Sequence, residues 1–205
     1  MARLSFSKAA LHKEGAQLKR FKQYLPSLDL KRQQLVVERT KAIAQLNNTQ
    51  DQIKSCYSLV KEQLPMLSSE HIDMSGLVTI KQVEMSEENV VGVKLPYLKQ
   101  IEIQSKPYSL LSKPHWVDLL VVQLKEMLEL KVRLEVNQKR VEILQQAVKK
   151  VTQRVNLFDK VLIPRAQKNI RKIRIFLSDT ERAAVVRAKI TKNKRLNLEK
   201  SVARG

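Results

Sequence analysis

A seven-residue repeat of apolar side chains constrains the fold of the C-terminal part of this chain. The repeat runs without a gap through Leu120, Met127, Leu134, Val141, Val148, Val155 and Leu162. Apolar residues three positions later, such as Leu130, Leu144 and Val151, widen it into a seam. A strict repeat of seven imposes a left-handed supercoil on paired helices. The pattern therefore predicts a coiled-coil helix over residues 114–198.

The N-terminal part carries a second heptad pattern, between Leu4 and Leu67. Thirteen of its nineteen a and d positions are apolar, which predicts a coiled-coil helix over residues 1–64. Pro26 lies within this pattern, and we expect a kink there because proline removes one helical hydrogen bond. Arg32 and Arg39 occupy seam positions. Either their charged ends extend to solvent, or each pairs with a carboxylate of a partner helix or another protein.

The pattern changes between the two helices, in residues 65–113. Residues 77–85 and 90–95 are short runs rich in β-forming residues, and the residues between them favour a turn, so we expect a β-hairpin. The predicted fold is mainly α: a long antiparallel two-helix coiled coil of N- and C-terminal helices, with a small central insert containing the β-hairpin. Near Pro164 the apolar spacing slips, which predicts a change of register. Residues 199–205 are expected to form a disordered tail.

The positive charge is concentrated at the two ends of the chain. Of a net charge of +19, residues 1–41 contribute ten Lys/Arg and three Asp/Glu, and residues 164–205 contribute thirteen and three. An antiparallel helix pair brings these ends together, which predicts a strongly basic tip. The tip is either a solvated surface, a phosphate-binding surface for nucleic acid, or a surface that contacts an acidic or polar protein cavity. The 4% content of aromatic residues disfavours nucleic acid, because few side chains are available to stack on bases.

Residue patterns typical of catalysis are missing. The four glycines are Gly15, Gly76, Gly92 and Gly205. Their spacing assembles neither a P-loop nor a dinucleotide-binding fingerprint, and three histidines with one cysteine do not form a zinc motif. We therefore expect no catalytic residues, no cofactor and no metal. The single cysteine, Cys56, favours a reducing, cytosolic setting.

Some apolar residues lie outside a two-helix seam. They are Val121, Val122, Val132, Val136, Val161 and Ile163. A two-stranded coil does not bury all of these side chains, so they predict contact with partner subunits. The alternative for some of them is that they are scattered exposed aliphatic residues, which are common on soluble proteins.

Several motifs occur in an order and spacing that resemble one known family. They are Arg154-Val-Asn-Leu157, Ile163-Pro164-Arg165, Ile170-Arg-Lys-Ile173 and Glu181-Arg182 in the C-terminal helix, Leu11, Leu18, Leu28 and Lys31-Arg32 near the N-terminus, and Val91-Gly-Val-Lys-Leu-Pro96 in the insert. Together they resemble the D subunits of the V-type/A-type rotary ATPases and ATP synthases. The resemblance covers essentially the whole chain.

The resemblance implies a non-catalytic central-stalk rotor shaft that couples ATP hydrolysis or synthesis to the translocation of H⁺ or Na⁺ by rotation. The implied partners are the nucleotide-binding A and B subunits of the catalytic hexamer, the small F subunit of the stalk and the collar subunit of the membrane ring. Direct binding of nucleotide, nucleic acid or lipid is not expected. The implied location is cytoplasmic, peripheral to the membrane. The alternative function is a basic coiled-coil protein that binds nucleic acid or tethers other proteins.

The resemblance also assigns a role to the basic tip, which would face the bore of the hexamer. The cations expected there are Lys8, Lys13, Lys19, Arg20, Arg165, Lys168, Arg171, Lys172, Arg174, Arg182, Arg187 and Lys189.

Overall fold

A computed structural model of the chain describes residues 4–68, 76–107 and 114–202. In chain order its elements are helix α1 (Lys8–Gln63), a 3₁₀ turn (Pro65–Ser68), strands β1 (Val78–Val90) and β2 (Val93–Ser105), helix α2 (Trp116–Leu157), a π-helical turn (Phe158–Leu162) and helix α3 (Ile163–Val202). The fold is mainly helical with a central antiparallel β-hairpin, which confirms the predicted fold class.

The chain divides into two compact units. The terminal unit combines Met1–Leu30 with Thr152–Gly205, and the central unit is Lys31–Val151. The boundaries between these units fall inside the segments 1–64 and 114–198 that the sequence predicts as helices. The division into 1–64, 65–113 and 114–198 therefore stays a prediction from the sequence pattern.

Helix α1 begins with a local cap. The Ser7 hydroxyl oxygen accepts a hydrogen bond from the Ala10 amide at 3.1 Å, which satisfies one of the free donors of the first turn. Pro26 lies inside α1, and the kink expected there stays a prediction. At the other end of the chain, α3 continues to Val202, into the stretch 199–205 for which we expect a disordered tail. Residues 203–205 lie outside the described part.

In the terminal unit the first part of α1 pairs with the C-terminal helix in antiparallel orientation. Phe21 lies against Phe158 with ring centroids 5.5 Å apart, and earlier in α1 the Glu14 carboxylate accepts a hydrogen bond at 3.5 Å from Asn169 in α3. The two helices therefore run in opposite directions. The buried side chains of the C-terminal helix in this unit are Val155, Ile163, Ala166 and Ile173.

The π-helical turn adds one residue to the C-terminal helix between Val155 and Ile163. The Ile163 amide donates to the carbonyl of Phe158, five residues earlier, where an α-helix would use the fourth. The buried stripe moves by one residue as a result, since Ile163 is buried whereas Leu162 is half-buried. Pro164 follows two residues after the turn and has no amide to continue the α-helical bonding. The change of register expected near Pro164 stays a prediction.

In the central unit, the second part of α1 pairs with α2, also in antiparallel orientation. Asn137 donates to the Thr49 hydroxyl at 3.1 Å, and Cys56 lies 3.5 Å from the side-chain oxygen of Gln123. An apolar cluster closes this unit where the insert meets both helices. Its buried members are Leu64, Leu77, Trp116, Val117, Leu120 and Val121.

The β-hairpin joins β1 and β2 through a two-residue turn. Val91 and Gly92 both have positive φ, of 53° and 75°, the backbone of a type I′ turn that matches the strand twist. A β-branched valine is rarely found in this conformation, so Val91 is strained. Two shifts of register keep apolar residues opposite each other. The apolar cross-strand pairs are Ile80 with Ile103, Val83 with Ile101, Met85 with Leu98 and, next to the turn, Val90 with Val93.

Candidate partner-binding surfaces

The predicted bore-facing cations all belong to one unit. Lys8, Lys13, Lys19 and Arg20 are on the first part of α1, and the other eight are on α3, from Arg165 to Lys189. All twelve side chains are exposed. The helix pairing explains why, because it buries an apolar stripe and leaves the charged faces of both helices in solvent. We call these twelve residues the basic surface.

The charge of the terminal unit is largely uncompensated. Residues 1–30 and 152–205 contain twenty-one Lys/Arg and six Asp/Glu. One of the twelve cations, Lys8, lies 3.8 Å from the Glu181 carboxylate, and both of these side chains are well exposed. An exposed pair of this kind contributes little, typically about 0–1 kcal/mol. The surface therefore attracts anionic partners over distances of about the Debye length.

Apolar side chains are interspersed with these cations. Phe6 and Phe176 are both exposed, with ring centroids 4.9 Å apart, and Ile175 beside them is 53% exposed. Further along α3, Val186 and Ile190 are also exposed. A surface that combines cations with large apolar groups fits a protein partner better than a bare polyanion.

The six apolar residues predicted to contact partners fall into two groups. Val122 is 59% and Val161 is 49% exposed, and Val132 is half-buried. Val121, Val136 and Ile163 are buried within the chain itself. Placing these three residues outside the chain's own packing was wrong.

Their burial has local causes. Val121 belongs to the apolar cluster formed with the insert, and Val136 lies in a groove lined by residues of α1, α2 and the β-hairpin. Ile163 moves into the buried stripe because of the π-helical turn. Partner contact through Val122, Val132 and Val161 stays a prediction.

The predicted seam residues are all buried or half-buried. Leu120, Val148 and Val155 are buried, and Met127, Leu134, Val141 and Leu162 are half-buried. Arg32 and Arg39, the two cations at seam positions of α1, are half-buried as well. The Arg39 Nε is buried without a hydrogen-bond partner among the described residues.

Arg140 attaches the β-hairpin to α2, a role that the sequence did not reveal. Its guanidinium donates to the Glu88 carboxylate at 3.1 Å and to the Pro96 carbonyl at 3.3 Å, so it holds one residue from each strand. The Arg140 side chain is only 17% exposed, against 53% for Glu88. No sequence signal marks this arginine, because the three groups meet only after the hairpin folds back onto the helix.

The described residues include no group of three or more His, Cys, Asp or Glu side chains placed to hold a metal ion. Cys56 is buried, and this burial, with a smaller contribution from Glu126, raises the pKa of its thiol. A thiol with a raised pKa forms less thiolate and is a poor nucleophile. In the described ranges, none of the helices has the length and apolar character needed to cross a membrane.

Comparison with known proteins places this arrangement in a family. The family model of the ATP synthase D subunits matches residues 10–193. The D subunit of the V-type ATP synthase of Borreliella burgdorferi is 36% identical over 196 residues, which cover 94% of this chain and 95% of that protein. Its counterpart in Chlamydia abortus is 36% identical over 200 residues, 94% of each chain. The counterpart in Chlamydia pneumoniae is 31% identical over 206 residues, 98% of this chain and 96% of the relative. The chain belongs to the family of ATP synthase D subunits.

Proposed function

We propose that this chain is the central-stalk rotor shaft of a V-type ATP synthase, which couples ATP hydrolysis or synthesis in the catalytic hexamer to ion translocation by rotation. In this role it is a non-catalytic component. Its terminal unit faces the bore formed by the nucleotide-binding A and B subunits. Its central unit binds the small F subunit of the stalk and the collar subunit of the membrane ring, so the chain is cytoplasmic and peripheral to the membrane.

The exposure of the whole basic surface is the observation that carries this proposal. A shaft that turns inside a ring meets that ring on all sides, so it needs contact residues on both of its helices. The twelve cations lie on α1 and on α3, and the chain's own carboxylates neutralise few of them. The contacts are therefore directed outward, towards a surrounding protein.

The helix pairing supports the same function. Transmitting torque requires helices that do not separate or slide, which long apolar seams and buried polar contacts provide. Both units have antiparallel helices with buried seams, and the central unit adds the Asn137–Thr49 hydrogen bond inside its pairing. The β-hairpin is fixed to α2 by Arg140 and presents exposed apolar side chains, including Met85 and Tyr97, to a partner.

Reversal of charge on the basic surface tests the proposal in the assembled complex. Arg182, Arg187 and Lys189 are exposed and lie away from the apolar stripe, so their replacement by Glu leaves the fold of the chain intact. In membrane vesicles that contain the complex, we expect this triple variant to lower ion transport per ATP hydrolysed. The matched control is Lys131→Glu, Lys149→Glu and Lys150→Glu, which makes the same change of charge at exposed sites of the central unit.

A selective loss of coupling in the α3 variant, with the control close to the wild type, supports the shaft. The proposal is contradicted if both variants transport ions and hydrolyse ATP like the wild type. For the predicted partner contacts, Val161→Asp is expected to weaken assembly, because it places a charge on an exposed apolar site. Unchanged co-purification of the other subunits would argue against that contact.

A further inference from the structure

A groove of about 850 Å³ lies between α1 and α3 in the terminal unit. Its floor is apolar or small, and is formed by Leu11, Gly15, Ala16, Leu18, Ile170 and Ile175. Leu11, Leu18 and Ile170 are half-buried beneath it, whereas Ile175 is more than half exposed at its edge. We call it the Gly15 groove.

The rim of the Gly15 groove is cationic. It is lined by Lys19, Arg171 and Arg174 together with His12 and Gln167, and no carboxylate from the described part of the chain lines it. Among the described residues, Lys19, Arg171 and Arg174 form no ion pair. The groove on the other side of the same helix pair differs, since it contains Glu14 bonded to Asn169. That opposite groove has Lys13 and Arg165 with this one carboxylate, so the Gly15 groove has the larger excess of positive charge.

Gly15 has no structural reason to be glycine within this unit. It lies in the interior of α1, where glycine destabilises the helix relative to alanine. Its backbone is not in the positive-φ region, and a Cβ built there meets no atom within 4 Å beyond the adjacent backbone of its own helix. Neither backbone conformation nor packing in the described part of the chain requires the missing side chain. The open space is available to a molecule outside the chain.

We propose that the Gly15 groove binds a segment of a partner protein in which an apolar side chain is flanked by carboxylates. The apolar side chain packs on Leu11, Leu18 and Ile170, and the missing Cβ of Gly15 lets it approach the backbone of α1. The carboxylates pair with Lys19, Arg171 and Arg174. A nucleic acid backbone would satisfy the cations and leave the apolar floor uncovered, so the floor selects a protein.

This inference rests on the proposed function, under which the partner segment belongs to the hexamer that surrounds the terminal unit. It adds to that function a contact at one defined site of the shaft. The rest of the basic surface offers cations among scattered apolar side chains, whereas this groove receives one particular side chain and so fixes an angular position.

Substitution of Gly15 separates the stability of the chain from its binding. Gly15→Ala is expected to raise the melting temperature of the full chain by about 2–4 °C, because it improves helix propensity at an open site. Gly15→Leu places a larger side chain in the groove, and its Cβ meets nothing within 4 Å beyond the adjacent helix backbone. A melting temperature no lower than that of the wild type would show that the variant keeps its fold. We expect Gly15→Leu to bind the purified hexamer, prepared without this chain, about tenfold more weakly, the size of a typical interface defect.

Two controls accompany this variant. Gln23→Leu adds the same side chain at an exposed site of α1 that lines neither groove, and is expected to bind like the wild type. Lys13→Glu changes a cation that faces the opposite groove, and is expected to weaken binding less than Lys19→Glu does. The second comparison tests the acidic character of the occupant.

Equal binding by Gly15→Leu and the wild type overturns the proposal, as does an equal loss for Lys13→Glu and Lys19→Glu. The groove is also not a hexamer site if Gly15→Leu dissociates a dimer of this chain in sedimentation experiments, since a second copy would then be the occupant. Failure of the rotor function gives a different result, in which the Arg182, Arg187 and Lys189 reversal leaves coupling unchanged. The two hypotheses are therefore rejected by different measurements.

Discussion

Asn137 in α2 donates a hydrogen bond of 3.1 Å to the Thr49 hydroxyl in α1, across the pairing of the two helices. Thr49 is 7% exposed and donates in turn to the Gln45 carbonyl at 2.8 Å. Thr49 is buried and Asn137 is half-buried, so sliding of the helices would break a hydrogen bond that is partly shielded from water, at a cost in stability. The pair therefore fixes the register of the central unit.

Thr49→Val tests this role of the pair. It keeps the shape of the side chain but leaves the Asn137 amide without its acceptor, so we expect a loss of about 1–2 kcal/mol in the free energy of unfolding. The double variant Thr49→Val, Asn137→Leu replaces both polar groups and should recover most of that loss. Urea unfolding of the single and double variants gives the coupling energy, and strictly additive effects would refute a specific pair.

The contacts of Arg140 predict that loss of its side chain weakens the attachment of the β-hairpin to α2. Arg140→Gln removes charge-assisted bonds to Glu88 and to the Pro96 carbonyl, which are together worth about 2 kcal/mol. Faster hydrogen exchange is expected at the amides of β1 and β2, with little change at α1. The control is Arg133→Gln, because Arg133 is exposed on the same helix and pairs with Glu129 within that helix. Similar exchange in both variants would exclude the anchoring role.

Cys56 predicts a pH dependence of stability and labelling. Burial and then Glu126 raise the pKa of its thiol above that of an exposed cysteine. Because the pKa of this thiol is higher in the folded chain than in the unfolded chain, its protonated form contributes to stability. This contribution is fully present below the pKa of the unfolded state and is lost as the pH rises through the pKa of the folded state. Alkylation of the native chain at mildly alkaline pH should therefore be slower than alkylation of the chain unfolded in urea. Equal rates would show that the thiol is exposed and has an ordinary pKa.

The π-helical turn predicts that one position in the C-terminal helix tolerates deletion. Removal of the exposed Asp159 should close the turn into regular α-helix and leave Ile163 and Ile173 on the buried stripe. We expect the free energy of unfolding to change by no more than about 1 kcal/mol, the scale of a surface change.

Deletion of Lys168 is the control, because it is exposed but lies outside the turn. It would rotate Ile170 and Ile173 by about 100° from α1, since an α-helix has 3.6 residues per turn. Burial of Ile173 would be lost, at a cost of about 2–5 kcal/mol. If the two deletions changed the free energy of unfolding in urea equally, the extra residue of the C-terminal helix would not lie in the π-helical turn.

The sequence predicted the helices and the β-hairpin because their patterns are local. The seven-residue apolar repeat that begins with Leu120 and Met127 predicts a helix that pairs with another helix, without identifying that helix. The short β-rich runs around the turn likewise predict a hairpin. The exposure of the basic surface followed from the same patterns, since the cations lie off the apolar stripe.

Among the features that needed the structure are the burial of Val121, the burial of Ile163 and the surroundings of Gly15. The burial of Val121 depends on where the insert packs, and a helical repeat carries no information about a third layer. The burial of Ile163 depends on a single π-helical turn, which the spacing around Pro164 suggests only as a disturbance. In the sequence Gly15 matters only for the absence of a P-loop, and its open surroundings are evident only from the structure around it.

Direct observation of rotation tests the central claim of a rotor shaft. The hexamer is fixed to a surface, and a bead is attached through a cysteine at the exposed position Glu62, in a chain whose Cys56 is replaced by serine. On addition of ATP, the shaft predicts continuous rotation of the bead in one direction, which stops when ATP is removed. A bead that stays fixed or only fluctuates while the same complexes hydrolyse ATP would contradict the proposed function.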